Sequence, residues 1–343
     1  AHRPAGRRRR APAARPATLA LAATWIVGDT VTDVLYGAGW NDTLNGAGGR
    51  DQLVGGLGDD ILIGGTGADT MFGGYGSDTF YVDDVGDIVG ENRRWTGIDQ
   101  VISSVDFLMG KQHIENLALT GTANLRGVGN GLANLIVGND GANLIDGGGG
   151  KVDTLVGGLG DDTYLVREAS DLIVELLNGG TDSVRALVNY ELAANVENLY
   201  IQGTTALNGR GNSQANVIIG NNAANVINGR EGADVLTGQG GADTFMFDRT
   251  ASNENADRIT DFTHDVDRIT FVRSAFSGLT PGVLAADAFV QGTTSADTGD
   301  RVIYDGTTGR LWFDADGLGG ADQVLVAVLA NRALLSATHI LVI

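Results

Sequence analysis

A nine-residue period that starts at Gly28 limits what this chain can fold into more than any other feature. Six units follow one another without an insertion over residues 28–81: GDTVTDVLY, GAGWNDTLN, GAGGRDQLV, GGLGDDILI, GGTGADTMF and GGYGSDTFY. Their sixth positions are Asp33, Asp42, Asp51, Asp60, Asp69 and Asp78, and their eighth are Leu35, Leu44, Leu53, Leu62, Met71 and Phe80. Glycine accepts positive φ and close backbone approach, so the first five residues suit a tight turn. The last three suit a short strand whose middle side chain points inward and whose flanking pair points outward. One unit cannot bury a single apolar side chain, whereas stacked units make a continuous ladder of them.

Two units complete one coil, so equivalent side chains of every second unit fall on the same side. Asp33, Asp51 and Asp69 then line one flank, and Asp42, Asp60 and Asp78 the other. Carboxylates stacked at a strand spacing of about 4.8 Å repel unless a cation lies between them. Carboxylates and turn carbonyls are hard donors, which select Ca2+ over zinc or copper. Counted by neighbours one coil away, Asp51 and Asp60 each serve two pairs, while Asp33 and Asp78 serve one. Composition agrees, since 23 basic and 42 acidic residues leave a net charge of −19. That charge argues against nucleic acid, whose phosphates need Lys and Arg. The lack of cysteine excludes disulfides and thiolate metal sites. No run approaches the roughly 18 apolar residues of a membrane-spanning helix.

The units GGLGDDILI, GGTGADTMF and GGYGSDTFY match the pattern G-G-x-G-x-D-x-U-x at every defined position. In this the chain resembles the RTX family, the haemolysin-type calcium-binding repeats. The resemblance implies an all-β fold, a parallel β-roll or β-helix solenoid, with several Ca2+ ions held between successive turns on each flank. The first three units lack the second glycine, which sets their sites apart.

Two further blocks carry the same period. Residues 129–165 read GNGLANLIV, GNDGANLID, GGGGKVDTLV and GGLGDDTYL, with sixth-position equivalents Asn134, Asn143, Asp153 and Asp162. Residues 211–246 read GNSQANVII, GNNAANVIN, GREGADVLT and GQGGADTFM, giving Asn216, Asn225, Asp234 and Asp243. Asparagine brings no charge, so its rungs read as structural and the Asp rungs as weaker calcium sites. The segments between blocks, 91–128 and 166–210, match one another. Asp87 pairs with Asp171, Glu91 with Glu175, Asp99 with Asp182 and Glu115 with Glu197, a larger repeat of roughly 82–84 residues. They read as longer rungs of the same solenoid, with their acids architectural.

Residues 1–25 hold six arginines and no acid and read as a basic disordered tail, only faintly like a signal peptide. Block 1 then occupies 26–90, and residues 247–343 change character. FDRTASNENADRITDFTHDVDRITF and YDGTTGRLWFDADGLGGADQVLVAVL resemble the terminal domain that follows the repeats in secreted serralysin-type proteins. This implies a β cap, and an apolar ILVI terminus that serves as an export signal, as a closing strand, or as both. Asp314, Asp316 and Asp322 surround a glycine turn that reads either as a cation loop or as a solvated turn. A protease would need two His four residues apart on a helix, and His2, His113, His264 and His339 lack that spacing. No G-x-S-x-G elbow occurs. His113 and His264 read as lone surface residues, and no catalytic residue is assigned.

The resemblance thus implies a secreted, extracellular calcium-binding protein that leaves by the type I secretion machinery and folds on Ca2+ outside the cell. Two alternatives are the calcium-binding and secretion module of a larger enzyme, toxin or adhesin, and a calcium-dependent surface or matrix protein. No protein partner is legible.

Overall fold

Each nonapeptide becomes one turn and one strand, most often of three or four residues. The computed structural model describes residues 22–91, 96–318 and 322–343. Most of the expected tail lies outside them, and Trp25 already belongs to the first strand. The chain divides into two units, Ala1–Ala118 and Leu119–Ile343.

In the first unit, alternate repeats feed alternate parallel sheets. Trp25–Val27, Thr43–Asn45, Ile61–Ile63, Thr79–Val82 and Gln100–Ser103 lie side by side in one; Val34–Tyr36, Gln52–Leu57, Thr70–Tyr75 and Ile88–Gly90 form the other. The register is the expected step of two units: Leu44 faces Leu62 and Leu62 faces Phe80, while Leu53 faces Met71. These eighth-position side chains are fully buried. Each contributes about 1.5–3 kcal/mol of transfer free energy relative to exposure. Seventh and ninth positions such as Ile61 and Tyr81 face solvent.

The second unit repeats this plan and accommodates the insertions between its repeats in its turns. The residue inserted in GGGGKVDTLV widens two steps to 19, so Ile136 faces Leu155 and Ile145 faces Tyr164. Beyond block 2, Tyr164 faces Val184, Val184 faces Leu199 and Leu199 faces Ile218. Those steps of 20, 15 and 19 show that the inter-block segment prolongs the solenoid with rungs of unequal length. The ladder continues into the carboxyl-terminal region, where Ile259 stacks on Leu236 and then on Leu329. There the pairing turns antiparallel: Val324–Leu329 pairs with Arg310–Phe313, which pairs with Val302–Asp305. The terminal ILVI segment is a closing strand, with Ile340 and Val342 buried between Arg268–Phe271 and Gly282–Val283. Phe271, Phe276 and Phe313 pack at centroid distances of 4.5 and 5.1 Å behind it. Among the described residues there is no α-helix, only three single-turn 3-10 segments.

Candidate metal centres

The sixth-position carboxylates stand in two files, as the period predicts. From the second unit on, each uses one oxygen to hold the register, beginning with Asp42 Oδ1, which accepts the Thr24 N–H at 2.7 Å. Asp51 Oδ1 accepts the Asp33 N–H at 2.7 Å, and Asp69 Oδ1 accepts that of Asp51 at 2.7 Å. On the other flank Asp60 Oδ1 accepts from Asp42 and Asp78 Oδ1 from Asp60, both at 2.7 Å. The files extend past the recognisable repeats. Asp87 accepts from Asp69 and Asp99 from Asp78, so Asp78 is not the terminal rung that neighbour counting makes it.

What becomes of the second oxygen depends on the residue at repeat position two. Where that residue keeps negative φ, its N–H turns onto the sixth-position side chain. Asp29 donates to Asp33 Oδ2 at 2.8 Å and Ala38 to Asp42 Oδ2 at 2.9 Å. Asn130, Asn139, Asn212 and Asn221 likewise donate to the Oδ1 atoms of Asn134, Asn143, Asn216 and Asn225. Where position two has positive φ the N–H turns away, as at Ala47, Gly56, Gly65, Gly74, Gly148, Gly158, Arg230 and Gln239. The matching Oδ2 atoms, of Asp51, Asp60, Asp69, Asp78, Asp153, Asp162, Asp234 and Asp243, are then buried without a hydrogen-bond partner.

The left-handed conformation costs a non-glycine residue about 1–2 kcal/mol, and each such case has an acceptor that draws its N–H outward. Ala47 donates to Asn45 Oδ1 at 2.8 Å, Arg230 to Asn228 Oδ1 at 2.9 Å and Gln239 to Asp261 Oδ2 at 2.8 Å. The turn thus has a closed state, in which the backbone satisfies the side chain, and an open state, in which a carboxylate oxygen is left for something else.

That oxygen converges with a carbonyl of the next turn. A Cβ placed on Gly46 would collide with both Asp51 Oδ2 and the Gly64 carbonyl, and one on Gly55 with Asp60 Oδ2 and the Gly73 carbonyl. Only glycine leaves room for two oxygens to meet there, so the first glycine of each unit is a requirement of the cradle. Burial without a counter-charge pushes these acids up. Desolvation dominates for Asp60 and Asp162, at about 7, and for Asp69, Asp78, Asp153 and Asp243, at about 6, despite the N–H that each accepts. A buried anion with one free oxygen facing a carbonyl is a donor set that a hard cation completes. Calcium therefore fits the residues present.

The asparagine rungs lack such an oxygen. Asn225 Nδ2 donates to the Leu207 carbonyl at 2.8 Å and Asn216 Nδ2 to that of Val196 at 3.1 Å. They join turns by hydrogen bonds alone. In the carboxyl-terminal region, Asp314 is buried, and burial alone would push it up. Hydrogen bonds from Ser295 Oγ and the N–H groups of Gly317 and Asp316 hold it below the usual range instead. Asp316 and Asp322 are exposed. Among the described residues these three form no cluster of converging ligand atoms.

His264 is not a lone residue. Its ring lies 4.4 Å from that of His339, and Asp265 joins the two, 2.9 Å from His339 Nε2 and 3.4 Å from His264 Nε2. The two histidines are distant in sequence, and no local pattern announces their contact.

A model of the RTX calcium-binding nonapeptide repeat matches this chain four times, at residues 27–62, 54–89, 128–164 and 210–245. The chain is also similar to the endo-1,3-1,4-beta-glycanase EglC of Rhizobium meliloti (strain 1021). The two are 48% identical over 112 residues, which is 33% of this chain and 23% of the glycanase.

Proposed function

This chain is an RTX repeat protein, its calcium-binding nonapeptides arranged as a β-roll, and from that premise we propose that it is exported unfolded and folds on calcium outside the cell. The ions would be held at the open turns, by Asp51, Asp60, Asp69 and Asp78 in block 1, Asp153 and Asp162 in block 2, and Asp234 and Asp243 in block 3. Asp33 and Asp42 sit at closed turns, where the backbone already satisfies the second oxygen. The observation that carries this reading is the match between positive φ at position two and an unpartnered, buried Oδ2 at position six. A bound ion supplies positive charge that lets these carboxylates stay ionised when buried. Binding stabilises the folded state by RT ln(1 + [L]/Kd), about 2.7 kcal/mol per site at a hundredfold excess. Where free calcium is scarce that term vanishes and the chain stays expanded, the state that a type I exporter accepts.

The test is a calorimetric calcium titration of Asp60→Ala and Asp42→Ala. Asp60→Ala is expected to lose sites and weaken the remainder about tenfold or more. Asp42→Ala is expected to keep the wild-type number of ions. Equal losses from the two would contradict the assignment.

The similarity to a glycanase favours a second reading, in which these repeats are the calcium-binding and export module of a larger enzyme. The chain spans about a quarter of the length of the curated relative it matches. On this reading an unrelated passenger fused ahead of the repeats is exported with them. The chain alone should release no reducing sugar from mixed-linkage glucan; release would place catalysis within the chain itself.

A further inference from the structure

The first two runs of open turns each finish against a cluster of acids that the nonapeptide does not contain. Asp78, Glu91 and Asp99 bring one oxygen each to within 4.8 Å of one another in the first unit, and Asp162, Glu175 and Asp182 do so in the second. All six residues are at least nine-tenths buried. Asp78 Oδ2 and Glu91 Oε2 in one cluster, and Asp162 Oδ2 and Asp182 Oδ2 in the other, have no hydrogen-bond partner. Three buried carboxylates so close repel by several kcal/mol at any protein dielectric unless a cation or protons intervene.

The register explains how each cluster is made. Glu91 follows Gly73 by the step of two units, and Glu175 follows Gly157 by the same step, where an ordinary turn places another glycine. A Cβ on Gly55 meets the Gly73 carbonyl, but a Cβ on Gly73 meets Glu91 Oε1 and one on Gly157 meets Glu175 Oε1. A carboxylate has replaced the neutral carbonyl of the cradle. Asp99 and Asp182 supply the third charge, each accepting the N–H of the preceding rung at 2.8 Å.

We propose that Asp78–Glu91–Asp99 and Asp162–Glu175–Asp182 are two tricarboxylate cation sites, distinct in donor set from the one-carboxylate rungs. This inference rests on the calcium reading above and adds a second class of site to it. Three carboxylates attract a divalent or trivalent ion more strongly than one, so these sites fill first. They are not equal. In the second site the Tyr164 hydroxyl donates to Glu175 Oε1 and the Leu176 N–H to Glu175 Oε2 at 3.2 Å. In the first the corresponding ring is Phe80, Glu91 Oε1 accepts the Gly73 N–H at 2.9 Å, and Glu91 Oε2 is free.

The test combines terbium, as a trivalent calcium probe, with two substitutions. Crystals grown in calcium and exchanged into Tb3+ should give anomalous peaks inside both clusters at the lowest terbium concentration. Peaks confined to the nonapeptide rungs would overturn this inference alone. Peaks nowhere would overturn the calcium reading as well. In calorimetry Glu91→Gln should remove one ion from the tightest class and weaken that step at least tenfold. Tyr164→Phe, which keeps the packing, should tighten the second cluster severalfold. Unchanged isotherms for both variants would likewise overturn the proposal.

Discussion

Ala38 and Ala47 occupy the same repeat position, follow the same glycine, and adopt opposite conformations. Ala47 has φ of 70°, while Ala38 keeps its N–H on Asp42. The difference lies two positions upstream, where Asn45 offers Ala47 an acceptor and Tyr36 offers Ala38 none. Asn45→Ala is therefore expected to let Ala47 fall back to the closed turn, with its N–H on Asp51 Oδ2. The left-handed cost of about 1–2 kcal/mol then opposes opening. Calcium affinity at that rung should drop roughly tenfold, although Asn45 is not itself a ligand on this account. Titration of the variant checks this, and wild-type affinity would show that the side chain does not set the turn. The Asp positions were legible from the period alone, but which of them keep a free oxygen was not. The signal was present as an Asx residue two before a non-glycine second position, at Asn45 and Asn228. It acquires meaning only once the direction of the N–H is known.

At the scale of the strand, one side chain per nonapeptide carries the core. Leu62 is fully buried between Leu44 and Phe80, whereas its neighbour Ile61 is 39% exposed. Leu62→Ala should destabilise the calcium-loaded chain by about 2–5 kcal/mol, and Ile61→Ala by roughly 0.5 kcal/mol or less. Urea unfolding in saturating calcium measures both, and similar losses would mean that the inward assignment is wrong. This alternation could be read directly, since a short strand repeated once per nonapeptide leaves a single choice of face. The closing strands could not. Ile259 stacks on Leu329, a partner from far along the chain, and no period relates the two. The tricarboxylate clusters were half legible, because the long repeat pairs Glu91 with Glu175 and Asp99 with Asp182. Their convergence depends on a rung longer than two nonapeptides, which brings Asp99 onto Asp78.

Across the whole chain the excess of acid over base, 42 against 23, opposes compaction, and burial makes it worse. Without calcium, Asp60, Asp99 and Glu175 lie near 7 and Glu91 near 8, raised first by desolvation. Unfolded carboxylates titrate near 4. A folded pKa above the unfolded one means that the native state holds more protons. Its stabilising contribution is complete below about pH 4 and is lost as pH rises through 6 to 8. Acidification should therefore substitute in part for the ion. In metal-free buffer the chain should gain β structure as pH falls from 8 to 5, and with calcium this dependence should flatten. A calcium-free chain that loses β structure on acidification would reverse the sign. The measurement closest to the central claim is far-ultraviolet circular dichroism of the metal-free chain at pH 7.5 during addition of calcium. The account predicts a disordered spectrum in chelator and a steep, cooperative rise of β signal with millimolar Ca2+, with little change on adding Mg2+, whose octahedral demand suits these turns poorly. The same β spectrum with and without calcium would contradict it.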